Sequence, residues 1–202
     1  MQSVEYKIEK AIKSKPRGYL LFSDDFSDKG SAESIRKALQ SLKEKGLIRS
    51  VAHGIYVRPE ISEYIGELLP TAEDVAKAIA RRDKIKLVPT GVYALHALGL
   101  STQVPLKLVF LTDGAPRIIK VGKRTIKLKK ASPKNLKAKG KISSLVIQAL
   151  REIGQDKVTE EELRKITSLL QKEDKKILQY DTTLTPVWIK KILQQAINEK
   201  IL

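Results

Sequence analysis

The chain has 202 residues, 42% hydrophobic and 31% charged, which is enough apolar mass for one large or two small packed domains and excludes a disordered polymer. It holds no cysteine, so disulfides and thiolate metal sites are excluded, and no run approaches the about 18 apolar residues of a membrane span. The formal net charge is +16, and 11 basic residues with no acidic one fall between Arg117 and Lys141, a one-signed field suited to a polyanion.

Taken in order, Val4, Ile8, Ala11 and Ile12 recur at helical spacing, and Lys15-Pro16-Arg17-Gly18 stops that helix. The start, MQSVEYKIEKAIKSK, lacks the apolar centre of a signal peptide, so a cytoplasmic protein with no membrane partner is expected. After the apolar YLLF, Ser23 is placed to cap a short helix with Asp24 and Asp25 in its first turn. Ser31 caps a longer helix over 32–45, in which Ile35, Ala38, Leu39 and Leu42 share one face and Gly46 is the stop. Leu47–Val51 reads as a strand, Ala52-His53-Gly54 as a turn, and Ile55-Tyr56-Val57 as the returning strand that ends at Pro59. Helix, short helix, helix, strand, turn, strand is the order of a winged helix-turn-helix.

Residues 61–70 read as a linker with a small apolar patch. Thr71 with Asp74 forms a capping box that opens a helix. A strand over 85–88 stops at Pro89, and TGVYALHALGL is a small-residue helix that ends at Gly99. LKLVFLT, RIIKV and TIKLKK are strands; their alternation places Ile118, Ile126 and Leu128 toward a core and the basic residues outward. Helices follow over 142–153, 160–171 and 174–179, and a last one runs from Thr185-Pro186 through VWIKKILQQAINEK. The fold class is therefore α+β: an N-terminal winged helix-turn-helix at 1–60, a linker at 61–70, a small basic α/β domain at 71–141, and a helical C-terminal tail at 142–202.

No catalytic set emerges, and no cofactor motif. His53 falls in a turn and His96 in an apolar helix, where a packed core histidine is the simpler reading; no pair of histidines has metal-ligand spacing. GKRT at 122–125 resembles the end of a phosphate-binding loop, but Arg117 and Ile118 stand where its upstream glycine belongs. On helix 32–45, Lys37 and Gln40 lie opposite the apolar face with Glu33 and Glu44, flanked by Arg36 and Ser41. Gln can pair with adenine, Lys and Arg with guanine or phosphate, and Glu with cytosine. Ser31 and Ser34 at the helix start can bond a phosphate; Arg49, His53 and Arg58 decorate the wing. Lys123, Arg124, Lys127, Lys129 and Lys130 would extend the footprint. Trp188 is most simply packing.

TGVYALHALGLSTQVPLKLVFLTDG (90–114) resembles the AbiEi-type antitoxins of type IV toxin–antitoxin, or abortive-infection, systems of bacteria. GSAESIRKALQSLKEKGLIRSVAHGIYVRP resembles their opening winged helix, RIIKVGKRTIKLKKAS their basic strands, and LTPVWIKKIL the tail of a related branch of unknown function. The resemblance implies a repressor of its own operon that binds promoter double-stranded DNA, with inverted repeats as a candidate site, and counters a nucleotidyltransferase toxin without a tight complex. It brings no catalytic residues. By position, Ser34, Arg36, Lys37, Gln40 and the wing inherit the DNA contacts. Two other readings stand beside it: a stand-alone nucleic-acid-binding module, or a protein-interaction module whose basic strands at 117–141 meet an acidic partner.

Overall fold

The computed structural model describes residues 2–198, and the chain is a mixed α+β protein. Packing divides it into two units. One runs to Ile79 and takes in Ile119–Thr125; the other holds Ala80–Ile118 and the chain from Ile126 onward.

In the first unit, α1 (Val4–Lys13) begins where the Ser3 hydroxyl accepts the Tyr6 N–H at 3.1 Å. YLLF is more than an apolar lead-in: Leu20–Phe22 is strand β1. A short 3-10 turn, Ser23–Phe26, follows. Its start is held by Asp25, whose carboxylate accepts the Phe22 N–H at 2.8 Å, so Ser23 is not the cap. The Ser23 N–H and hydroxyl instead donate to the Gly54 carbonyl, at 3.0 and 3.3 Å.

Helix α2 (Ala32–Glu44) starts at Ser31, whose hydroxyl accepts the Ser34 N–H at 3.3 Å. It ends with Gly46 N–H donating to Lys43 C=O and Leu47 N–H to Leu42 C=O, both 3.0 Å. That reversal needs the left-handed backbone of Gly46, φ 74°. Ile35, Ala38, Leu39 and Leu42 of α2 are buried with Ile8, Ile12, Leu21, Phe26 and Ile48 in one apolar cluster.

Strands β2 (Arg49–Ala52) and β3 (Ile55–Val57) form a hairpin whose turn is the pair His53-Gly54. Gly54 has φ 66°, and a Cβ there would meet the Ser23 hydroxyl at 3.3 Å. The sheet order is β1-β3-β2, so β3 is central, and Ile55 and Val57 are buried. A bulge between Ser50 and Ala52 shifts the β2 register. Residues 61–70, expected as a linker, carry structure. Strand β4 (Glu60–Ser62) pairs antiparallel with β5 (Gly66–Leu68), Glu60 opposite Leu68. Helix α3 (Ala72–Asp83) opens with the expected capping box: the Thr71 N–H donates to Asp74 at 3.1 Å, and the Asp74 N–H to the Thr71 hydroxyl at 3.2 Å.

A four-stranded sheet has the order β6-β7-β9-β8, with β6 at Leu87–Thr90, β7 at Lys107–Thr112, β8 at Arg117–Val121 and β9 at Arg124–Lys130. Pro89 does not end β6; it lies within it, opposite Phe110. An edge strand tolerates proline because its missing N–H leaves no ladder bond unmade. Ile126 and Leu128 are buried as expected, but Ile118 is 62% exposed. On β8 the buried residue is Val121, three positions from Ile118, and an odd spacing places the two on opposite faces.

In the second unit, α4 (Val92–Ala97) follows β6, and α5 (Lys141–Ile153), α6 (Glu160–Leu170), α7 (Lys175–Thr182) and α8 (Val187–Asn198) complete a helical cluster. Val146, Leu150, Ile166, Leu170, Ile189 and Leu193 are fully buried in it, with Trp188 packed against its rim. The final residues of the last expected helix, Glu199 and Lys200, lie outside the described residues. Arg82 and Arg117 pair with Asp83; burial opposes ionisation there, yet the two guanidiniums hold the carboxyl below its usual range.

Helix α5 has no capping side chain of its own, since Gly140 precedes it. Distant carboxylates supply the cap. Fully buried Asp181 on α7 accepts from Lys139 N–H (2.8 Å), Gly140 N–H (2.9 Å) and the Ser143 hydroxyl (2.6 Å). Glu173 accepts from Ile142 N–H (2.7 Å) and Ser143 N–H (3.2 Å). These bonds tie α5 to α7 more specifically than apolar contact can. Asp181→Ala leaves three donors unmet and should cost about 3 kcal/mol or more, read as a lower urea midpoint at unchanged slope. Asp181→Asn, which keeps an acceptor, should cost less.

Candidate nucleic-acid interface

With Leu39 and Leu42 inward, α2 turns Glu33, Arg36, Lys37, Gln40, Lys43 and Glu44 to solvent. Arg36, Gln40 and Lys43 follow one another at i, i+4, i+7 along a single stripe. Lys37 is paired with Glu33 at 2.8 Å, and the Gln40 amide donates to Glu44 at 2.7 Å. Both contacts are exposed, so breaking either costs at most about 1 kcal/mol. Among the described residues, the side chains of Arg36 and Lys43 make no ion pair or hydrogen bond. The sequence reading missed Lys43, although it stands seven residues after Arg36 and its position was readable from the helical period.

Other expected contact residues are already engaged. Ser31 and Ser34 bond each other and the first turn of α2: the Ser34 hydroxyl donates to the Ser31 carbonyl at 2.8 Å. Ser41 turns toward α1 and donates to Glu5 at 3.0 Å, and Lys45 pairs with the same carboxylate. Lys45 first and Ser41 second hold the Glu5 carboxyl below its usual range. These bonds lock α1 to the edge of α2, which takes Ser41 out of the exposed stripe.

On the hairpin, His53 is exposed at the turn. Arg49 Nε donates to Glu67 of β5 at 3.0 Å, so the two hairpins of this unit are linked by a partly exposed ion pair. Tyr56 is half-buried against the α1–α2 core, a packing role. Arg58 is not directed outward. Its guanidinium donates to the carbonyls of Lys13 (3.0 Å) and Lys15, where α1 ends and leaves acceptors free. It is a cap on α1.

Of the basic strand residues, Lys123 and Arg124 belong to this same unit. The turn at Gly122-Lys123 faces Ser50 and Val51 of β2 across an open cavity of about 430 Å³ that Leu69, Pro70 and Thr71 also line. Arg124 reaches both carboxylate oxygens of Glu73 at 3.3 Å and is partly neutralised; Lys123 is exposed. Lys127, Lys129 and Lys130 belong to the other unit, where Lys129 and Lys130 are exposed.

His96, expected as a packed core histidine, is half-buried with its Nδ1 atom shielded and unpartnered. Among the described residues, no group of His, Asp or Glu is gathered as a metal site, and no helix is long and apolar enough to cross a membrane.

The chain belongs to DUF6088, a family of unknown function, which it matches over residues 7–178. No curated protein matches it. Among solved structures, it is similar to the crystal structure of the RV2827C protein from Mycobacterium tuberculosis, with a TM-score of 0.45 and 12% identity, over 98% of this chain and 83% of that one.

Arg58→Gln separates capping from contact with a ligand. It should lower stability by about 1–2 kcal/mol in thermal or urea unfolding and leave the salt slope of any polyanion binding unchanged. A change in that slope without loss of stability would return Arg58 to the interface.

Proposed function

We propose that the chain is a sequence-specific double-stranded-DNA-binding regulator whose first 60 residues act as a winged helix-turn-helix. The observation that carries this reading is the exposed stripe of Arg36, Gln40 and Lys43 on α2, the helix that follows a short 3-10 turn and precedes the β2–β3 hairpin. In such an order α2 is the recognition helix and the hairpin is the wing. Arg36 and Lys43 have free charge for guanine or phosphate; Lys37 and Gln40 can exchange their weak surface partners for a base edge. His53 and Lys123 serve the backbone, and backbone contacts position while base contacts specify. Arg49 can join them by releasing Glu67.

The second unit adds Lys127, Lys129 and Lys130 as a non-specific electrostatic contribution. The reading includes no catalytic step, cofactor or metal. The antitoxin role, with a nucleotidyltransferase toxin as its functional partner, rests on the family resemblance of residues 90–114 and is proposed on that ground alone. Co-expression with the product of an adjacent nucleotidyltransferase gene should relieve its toxicity if the role is real.

The test is a fluorescence-anisotropy titration of the duplex upstream of the chain's own gene against a scrambled duplex, at low and near-physiological salt. The native duplex should bind on the order of 10³-fold tighter at the higher salt. Arg36→Ala with Gln40→Ala should cut that ratio by tenfold or more. Replacing Lys127, Lys129 and Lys130 should weaken both duplexes alike and flatten the salt slope by about 0.9 for each phosphate that is no longer neutralised. Equal affinity for both duplexes in the wild type would remove specific readout from the proposal.

A further inference from the structure

The β4–β5 hairpin exposes Ile61 by 66%, Tyr64 by 94%, Ile65 by 74% and, just past its end, Leu69 by 61%. Single exposed apolar side chains are ordinary; four large ones within nine residues, on a two-stranded ribbon, form a patch that marks an interaction surface. Within the segment itself the charges are all of one sign. Residues 59–69 contain Glu60, Glu63 and Glu67 and no Lys or Arg, on a chain of net charge +16. Glu67 is paired with Arg49, and the remaining Glu60 and Glu63 repel nucleic acid, so the patch is not part of a DNA footprint. It fits a surface that is apolar and basic.

The chain has such a surface. Strand β8 is an edge of its sheet, so one side of it has no strand neighbour. It carries Ile118, 62% exposed, with Lys120 exposed on the same face and Lys123 exposed at the turn beyond. We infer that the β4–β5 hairpin docks on a second copy of this chain, at that copy's β8 edge. Tyr64 and Ile65 would cover Ile118, Glu63 would meet Lys120 or Lys123, and a hairpin strand would add to the sheet by main-chain pairing. The ribbon is short. It cannot bury the about 800 Å² per partner of a standard interface, so association is expected in the micromolar range and sensitive to salt.

Sedimentation of the full chain without DNA, from about 5 to about 200 µM at low and high salt, tests this. The average mass should rise from 22.6 kDa toward twice that value with concentration, and less so at high salt. Two variants divide the contact: Tyr64→Ser with Ile65→Ser on the hairpin, and Ile118→Ser with Lys120→Glu on the strand. Each alone should remain near the monomer mass, with an unchanged circular dichroism spectrum and thermal midpoint, because every altered side chain is exposed. An equal mixture should associate more than either variant alone, since one intact hairpin then meets one intact strand. A wild type that stays monomeric throughout overturns the inference, whatever other protein the hairpin binds. So does a mixture no better than its components, which would point to hairpin-to-hairpin contact. Neither result bears on the DNA titration.

Discussion

The burial of Leu39 and Leu42 of α2 beside Ile8 and Ile12 of α1 fixes what the first unit presents. Each of these four side chains is essentially inaccessible, and truncating one to alanine removes about 2–5 kcal/mol, a large share of a domain's stability. Because a helix has one phase, seating this face leaves no freedom in the other. Arg36, Gln40 and Lys43 are outward because Ile35, Leu39 and Leu42 are inward. The bond of Ser41 and Lys45 to Glu5 then holds the rotation from the flank. The backbone that carries the stripe is therefore fixed, and what a ligand must still order is the side chains themselves.

The same unit shows why basic residue counts overstate an interface. Arg49 answers to Glu67, Arg124 to Glu73, and Arg58 to two helix-end carbonyls. Arginine is suited to these tasks because its planar fork holds two acceptors at once. Of the basic groups that the sequence reading assigned to contact in this unit, Arg36, His53 and Lys123 are the unengaged ones, and Lys43 joins them. Only these few groups are free to meet a charged ligand without first breaking a contact.

Much of this was legible in the sequence, for identifiable reasons. The α2 boundaries follow from Ser31 and Gly46, whose effects are local, and the capping box at Thr71 was readable at the same range. What was missed depends on partners distant in sequence. Leu20–Phe22 is a strand only because Val57 and Ile55 pair with it. Pro89 stays in a strand because β6 is at an edge, and Ile118 is exposed because it lies on the sheet face opposite buried Val121. Strand order is a property of the sheet and not of the segment. The engagement of Arg58 and Ser41 was invisible for the same reason: their partners lie 45 and 36 residues away.

The 61–70 stretch shows the limit most directly. Ile61, Tyr64, Ile65, Leu68 and Leu69 fall at i, i+3, i+4, i+7 and i+8, the spacing of an amphipathic helix, so the period points away from the strands that form. The pairing of Glu60 with Leu68 and of Ser62 with Gly66 makes it a ribbon, and a ribbon this short has no second layer to bury its side chains. A two-stranded hairpin gains little stability by itself, so the exposed Tyr64 and Ile65 cannot be justified by the fold of one chain. Nor does the charge suit the DNA reading, because Glu60 and Glu63, unlike the Arg49-paired Glu67, would oppose a polyanion. Apolar exposure without a folding benefit, and a charge opposite to that of its own chain, have a common physical resolution in a basic protein surface that covers both.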